Sequence, residues 1–124
     1  MSLVAAIASM QATVRTIIPN TLAEEPTTIQ RTPLAYFEEV DGQLTHVRQM
    51  ANHTDRIRLN VMVLVGQSIA PYIDAIPTLL HGSVGLNALD VRVTNWVADG
   101  VSVGDIRYRR VAFSLRFTRS NGKV

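Results

Sequence analysis

The stretch Asp55–Gln67, DRIRLNVMVLVGQ, constrains this chain more than any other. Ile57, Leu59, Val61, Val63 and Val65 alternate with Arg56, Arg58 and Asn60. That period of two places them on opposite faces of a β-strand and has no counterpart on a helix. At Met62 and Leu64 the polar face turns apolar as well, so the strand starts with one side in water and finishes covered on both. Its pairing partners and its cover must come from the rest of the chain.

Ser2 is placed to cap a first helix, in which Leu3, Ile7, Met10, Val14 and Ile17 form one apolar stripe and Pro19 and Asn20 end it. Residues 20–33, with two prolines, four threonines and Glu24–Glu25, predict a long loop, either functional or ordered by a partner. Residues 34–50 predict a projecting β-hairpin with Asp41–Gly42 in its turn, followed by a polar break at ANHT. Ile69, Ile73, Ile76 and Leu80 mark a second helix, with Pro71 in its first turn, Pro77 expected to kink or divide it, and Gly82 just past its end. Leu89, Val91, Val93 and Val97 predict another strand, ADGVSVGD a turn, and SNGKV a frayed tail. The expected fold is one α+β domain over residues 1–124: a mostly antiparallel sheet, two helices on one face and a projecting hairpin.

The bulk numbers suit a globular domain. A chain of 124 residues buries about two-thirds of its extended-chain surface. With only 6% aromatic residues, its core must be aliphatic. The formal charge is +2, too small to mark a nucleic-acid binder. The chain has no cysteine, which excludes disulfides and thiolate metal sites. The N-terminal segment lacks the basic start of a signal peptide, and no apolar run reaches the ~18 residues of a membrane span. A soluble, intracellular domain without membrane contact is the expectation.

Catalytic and metal-binding patterns are missing. His46, His53 and His81 form no close pair, and no acid stands at a ligand spacing beside them. Glu38 and Glu39 point to opposite faces of a strand, so they cannot act together on one bond. HGSVGLN has glycines but neither the Lys-Ser/Thr nor the preceding strand of a phosphate loop. The expectation is a protein without enzymatic activity, metal or cofactor.

The closing segment, DIRYRRVAFSLRFTRS, packs five arginines into sixteen residues. Val111, Phe113, Leu115 and Phe117 make one apolar face, while before them Ile106 and Tyr108 are apolar on the opposite parity. This slip predicts a β-bulge at Arg109–Arg110. The arginines split between two faces, and Phe113 and Phe117 lie on the buried one, unlike a base-stacking surface. Two readings remain besides a solvated face: contacts between subunits, where arginine is enriched, and a small nucleic-acid-binding module. In the first, Asp55, Asp74, Asp90, Asp99 and the glutamate pairs Glu24–Glu25 and Glu38–Glu39 of a neighbouring copy would receive the arginines.

The order of elements across nearly the whole chain resembles the tail terminator (tail completion) proteins of long-tailed bacteriophages. It runs from an amphipathic helix through a Pro/Thr-rich loop and a hairpin to DRIRLNVMVLV, then LLHGSVGLNALDVRVTNW and finally GDIRYRRVAFSLRFT. The resemblance implies a structural virion protein made in the host cytoplasm. It would form a homo-oligomeric, hexameric ring at the head-proximal end of the tail, contact the tail tube protein and the head-tail connector, and lie beside DNA passing through the lumen. Other head-tail joining neck proteins are similar in size and composition. The residues expected to meet a subunit or partner are Arg107, Arg109, Arg110, Arg116, Arg56, Arg58, Glu38, Glu39, Asp41 and Tyr108.

Overall fold

The computed structural model describes residues 2–47 and 50–123. Helix α1 (Leu3–Val14) leads through a two-residue strand β1 (Thr21–Leu22) to the long strands β2 (Leu34–Val47) and β3 (Met50–Leu64). Helix α2 (Ala70–Leu80) and strands β4 (Leu89–Val103) and β5 (Ile106–Lys123) complete the chain. The strands make one sheet in the order β1-β2-β3-β5-β4, antiparallel except for the short parallel β1–β2 pair. This is the expected α+β fold.

The alternation in β3 has the predicted consequence as far as Val63, but Leu64 and Val65, expected to be covered, are exposed, because the strand ends at Leu64. Ile57, Leu59, Val61 and Val63 join Val111, Phe113, Leu115 and Phe117 of β5 and Ala35 and Phe37 of β2 in one buried layer. The helices cover it with Ala6, Ile7, Met10 and Val14 from α1 and Ile76 and Leu80 from α2. Ser2 Oγ accepts from the Ala5 N–H at 3.0 Å and caps α1 as expected. Ile17 does not belong to the stripe. The helix ends at Val14 in tight turns, with the Thr16 N–H on the Thr13 carbonyl and the Ile17 N–H on the Val14 carbonyl, which bury Ile18 in its place. Helix α2 is not divided: it runs as one element from Ala70 to Leu80 with Pro77 inside it.

Several boundaries differ from the sequence reading. Asp41–Gly42 is not the turn of the hairpin: β2 continues to Val47, which pairs with Met50 of β3, and residues 48–49 lie outside the described residues. A register shift between Glu39 and Asp41 absorbs one extra residue, and the strand goes on. Gly42 sits in a tight spot, where a Cβ would stand 3.1 Å from Asp55 Oδ1 and 3.3 Å from the Thr54 carbonyl. ANHT is strand rather than break, and the closing residues pair as far as Lys123 opposite Met50. The projection is therefore three strands wide, β2, β3 and β5, and not a two-stranded ribbon. The β4–β5 turn shrinks to Gly104–Asp105, where Gly104 adopts φ +61, a region open to glycine.

No bulge occurs at Arg109–Arg110. The β3–β5 register runs unbroken through Met62 opposite Arg110 and Leu64 opposite Tyr108. The parity changes because cover moves to the other face. There Leu34, Tyr36, Met62 and Tyr108 form a second buried cluster under Leu22, Ile29 and Val101. The loop expected to need a partner supplies its own anchors. The Thr21 carbonyl accepts from Gln11 Nε2 and Arg15 Nε, and Asn20 Nδ2 donates to the Arg31 carbonyl.

One ion pair is buried at the margin of the helix-side layer: Arg119 Nε donates to Asp55 Oδ2 at 2.6 Å, with both residues under one-tenth exposed. Removing one partner strands the other's charge, so Asp55→Ala is expected to lower stability by about 3–5 kcal/mol. The double variant Asp55→Leu/Arg119→Met should recover most of it. Urea unfolding measures both, and a single variant within ~0.5 kcal/mol of wild type would contradict the pair's role.

Candidate functional site

The face of the sheet away from the helices is built in rows across the strands. Starting from the end that the loop of residues 23–33 covers as a strap, the rows read Leu34–Met62–Arg110–Asp99, Tyr36–Asn60–Ala112–Val97, Glu38–Arg58–Ser114–Asn95 and Asp41–Arg56–Arg116–Arg92. Large side chains stand on the outer strands and small ones, Ala112 and Ser114, on the central β5. The result is a basin of about 500 Å³ lined by Glu25, Tyr36, Glu38, Arg58, Asn60, Asn95, Asp99 and Arg110 over Val97, Ala112 and Ser114.

Six of the ten predicted contact residues, Arg56, Arg58, Arg110, Arg116, Glu38 and Asp41, lie on this face, and among the described residues all but Arg116 are paired within the chain. Arg110 grips Asp99 with both forks, Nε to Oδ1 at 3.0 Å and Nη2 to Oδ2 at 2.6 Å. Glu38 Oε1 accepts from Arg58 Nη1 at 3.0 Å and from Asn60 Nδ2 at 2.9 Å. Asp41 takes a two-pronged pairing from Arg56. Asp90 pairs with Arg92 and Asp55 with Arg119. Of the acids assigned to a neighbouring copy, Asp55, Asp90, Asp99 and Glu38 are thus taken by arginines of the same chain. Tyr108 lies buried beneath the strap and is not available to a partner. Glu39, opposite Ile57, is exposed on the other side of β2. Arg107 and Arg109 are exposed on the helix side of β5, away from the basin. Among the described residues, Arg107, Arg109 and Arg116 enter no ion pair.

These contacts set the local electrostatics. The Arg110 hydrogen bond outweighs the opposing effect of burial and, with the Arg110 charge, holds the Asp99 carboxyl below its ordinary value. Burial alone would push Glu38 up, but hydrogen bonds from Asn60 and Arg58 and the charge of Arg58 outweigh it and bring it down. The Arg56 hydrogen bond lowers Asp41. Burial raises the Tyr36 phenol, with Arg110 opposing. Asn60 is 1% exposed, and its Oδ1 has no hydrogen-bond partner among the described residues.

Sequence reasoning misses Asn60 as a member of a site, although the alternation places it with Arg58, and it assigns Asp99 to a neighbouring copy rather than to Arg110 of the same chain. The composition around Asp99 predicts a turn, and only the extension of β4 through ADGVSV brings it beside Arg110. The histidines have separate surroundings. His81 Nδ1 accepts from the Val93 N–H at 3.0 Å, His53 Nδ1 lies 3.1 Å from Arg119 Nη2, and the His46 side chain falls outside the described residues. Among the described residues no group of three or more His, Cys, Asp or Glu could hold a metal, and no helix is long and apolar enough to cross a membrane.

No protein-family model matches the chain, and no curated protein matches it at a significant level.

Because Asp99, Glu38 and Asp41 have lowered folded-state values, their contribution to stability is complete above the ordinary carboxylate range near about pH 4 and is lost as pH falls through the lowered values. Urea midpoints should be flat from pH 7 to about pH 5 and fall below it. In the Asp99→Asn/Glu38→Gln variant the acid decline should be shallower. An equally steep decline would show that these pairs do not couple to folding.

Proposed function

We propose that this chain is a ring-forming structural subunit of the tail-terminator kind. It caps the head-proximal end of a phage tail tube, joins it to the head-tail connector, and resides in the virion. The observation that carries this reading is the pair of free edges on the sheet. Beyond the two residues covered by β1, β2 is an edge strand from Phe37 onward, and β4 is the edge on the other side.

Four long strands, each antiparallel to the next, leave those edges running in opposite directions. A second copy in the same orientation can therefore set its β2 against the first copy's β4 as another antiparallel pair. Such a heterologous contact repeats without using itself up and closes into a ring when the rotation allows. A twofold β4–β4 pairing would leave both β2 edges open.

The edges suit such contact chemically. The β4 residues 89–95 carry two register shifts, which guard an edge. Residues 96–103 have none, nor any Lys, Arg or Pro, and they expose Trp96 and Val97 at 48% and 59%. On β2, Val40 and Leu44 are 46% and 52% exposed. On β2 the bulge between Glu39 and Asp41 guards part of the edge, whereas residues 96–103 of β4 form a long unguarded edge with apolar side chains, which a lone subunit avoids and an assembling one needs. The alternative nucleic-acid module on Arg107, Arg109, Arg110 and Arg116 is supported less well, since these four divide between the two faces of β5 and Asp99 takes Arg110.

Light scattering with electron microscopy tests this directly: the expected particle is a ring with a mass several times 13.7 kDa. Trp96→Lys/Val97→Lys should reduce it to monomer with an unchanged circular dichroism spectrum. A wild-type chain that stays monomeric at all concentrations and on added tail tubes would contradict the proposal, as would rings that survive the double substitution.

A further inference from the structure

Arg56, Arg116 and Arg92 stand directly opposite one another on β3, β5 and β4. Adjacent strands are about 4.8 Å apart, so three like charges share a row of about 10 Å. Like charges in opposed positions destabilise a sheet. The two outer guanidiniums have counter-charges of their own, Asp41 for Arg56 and Asp90, at 3.0 Å, for Arg92. Arg116, between them, enters no ion pair among the described residues.

Nor can extending the sheet provide one. Strand β5 is internal, flanked by β3 and β4, so a counter-ion for Arg116 must approach from above the face. Space exists for it: a cavity of about 360 Å³ beside Arg116 is lined by Asp41, Gly42, Gln43, Thr54 and Arg56. The next row along, Glu38–Arg58, is already balanced, which leaves the arginine row with three positive charges against the two of Asp41 and Asp90.

We propose that the helix-free face carries an oxyanion-binding site centred on Arg116, built for a phosphate group. The guanidinium fork takes two oxygens in parallel, and a tetrahedral anion keeps further oxygens for the N–H groups that Arg56, which lines the same cavity, does not give to Asp41. A planar carboxylate, the form in which Asp41 and Asp90 already serve, reaches fewer donors at once. The phosphate can be free or part of a polynucleotide backbone, and the two sources differ in how binding responds to salt.

The test is an NMR titration of the arginine Nε–H signals with inorganic phosphate, against sodium chloride at equal ionic strength, using the full chain. Saturable shifts at Arg116 and Arg56 are expected. Binding should be weaker by about tenfold or more in Arg116→Gln, as the loss of a charge-assisted hydrogen bond implies, and partly retained in Arg116→Lys. Arg116 is exposed, so circular dichroism should show both variants folded. A short oligothymidylate that binds more tightly than phosphate, with affinity falling steeply as salt rises, identifies the source as a polynucleotide; one that binds no more tightly identifies free phosphate. Shifts that follow ionic strength alone, or equal affinity in Arg116→Gln, would overturn the site.

Discussion

The antiparallel ladder between β3 and β5 carries both surfaces of this protein. It holds Ile57, Leu59, Val61 and Val63 beside Val111, Phe113, Leu115 and Phe117 on one face, where the two helices bury them. By the same pairing it lines up Arg56 with Arg116, Arg58 with Ser114 and Met62 with Arg110 on the other. A one-residue slip would exchange the faces, sending the phenylalanines into water and the arginines under the helices. Each fully buried large side chain contributes about 1.5–3 kcal/mol relative to exposure, so the apolar layer fixes the register and the polar rows are set by it.

On the helix-free face, charges fall where a register chosen by the core puts them. The chain answers with local counter-charges: Asp99 for Arg110, Glu38 for Arg58, Asp41 for Arg56, Asp90 for Arg92. These pairs are partly exposed and each adds little to stability, about 0–1 kcal/mol. Their effect is to keep the face from becoming a uniform basic strip. The unsatisfied groups are more informative, namely the row centre at Arg116 and the backbone groups along the two edges.

Much of the fold is legible in the sequence because strong periodicities have few alternatives. The alternation from Ile57 to Val63 and from Val111 to Phe117, and the helical spacing of Leu3, Ile7, Met10 and Val14, each admit one secondary structure. Local polarity misleads where tertiary context decides the outcome. Asp41–Gly42 has the composition of a turn, yet Asp41 is held in the strand by Arg56 and Gly42 sits close against Asp55. The parity change at Tyr108 mimics a bulge because nothing local reveals that residues 23–33 fold back over Tyr36 and Met62. The arginines are visible in the sequence but their partners are not, since pairings such as Arg110–Asp99 depend on how far β4 extends.

The central claim is that copies join through β4 of one and β2 of the next. Amide hydrogen exchange measured on dilute and assembled protein tests it most directly. Edge pairing predicts that residues 96–103 and the free stretch of β2 from Phe37 gain protection together on assembly, while β3 and β5, already paired on both sides, change little. Assemblies in which those edge amides exchange as fast as in the dilute chain would contradict it.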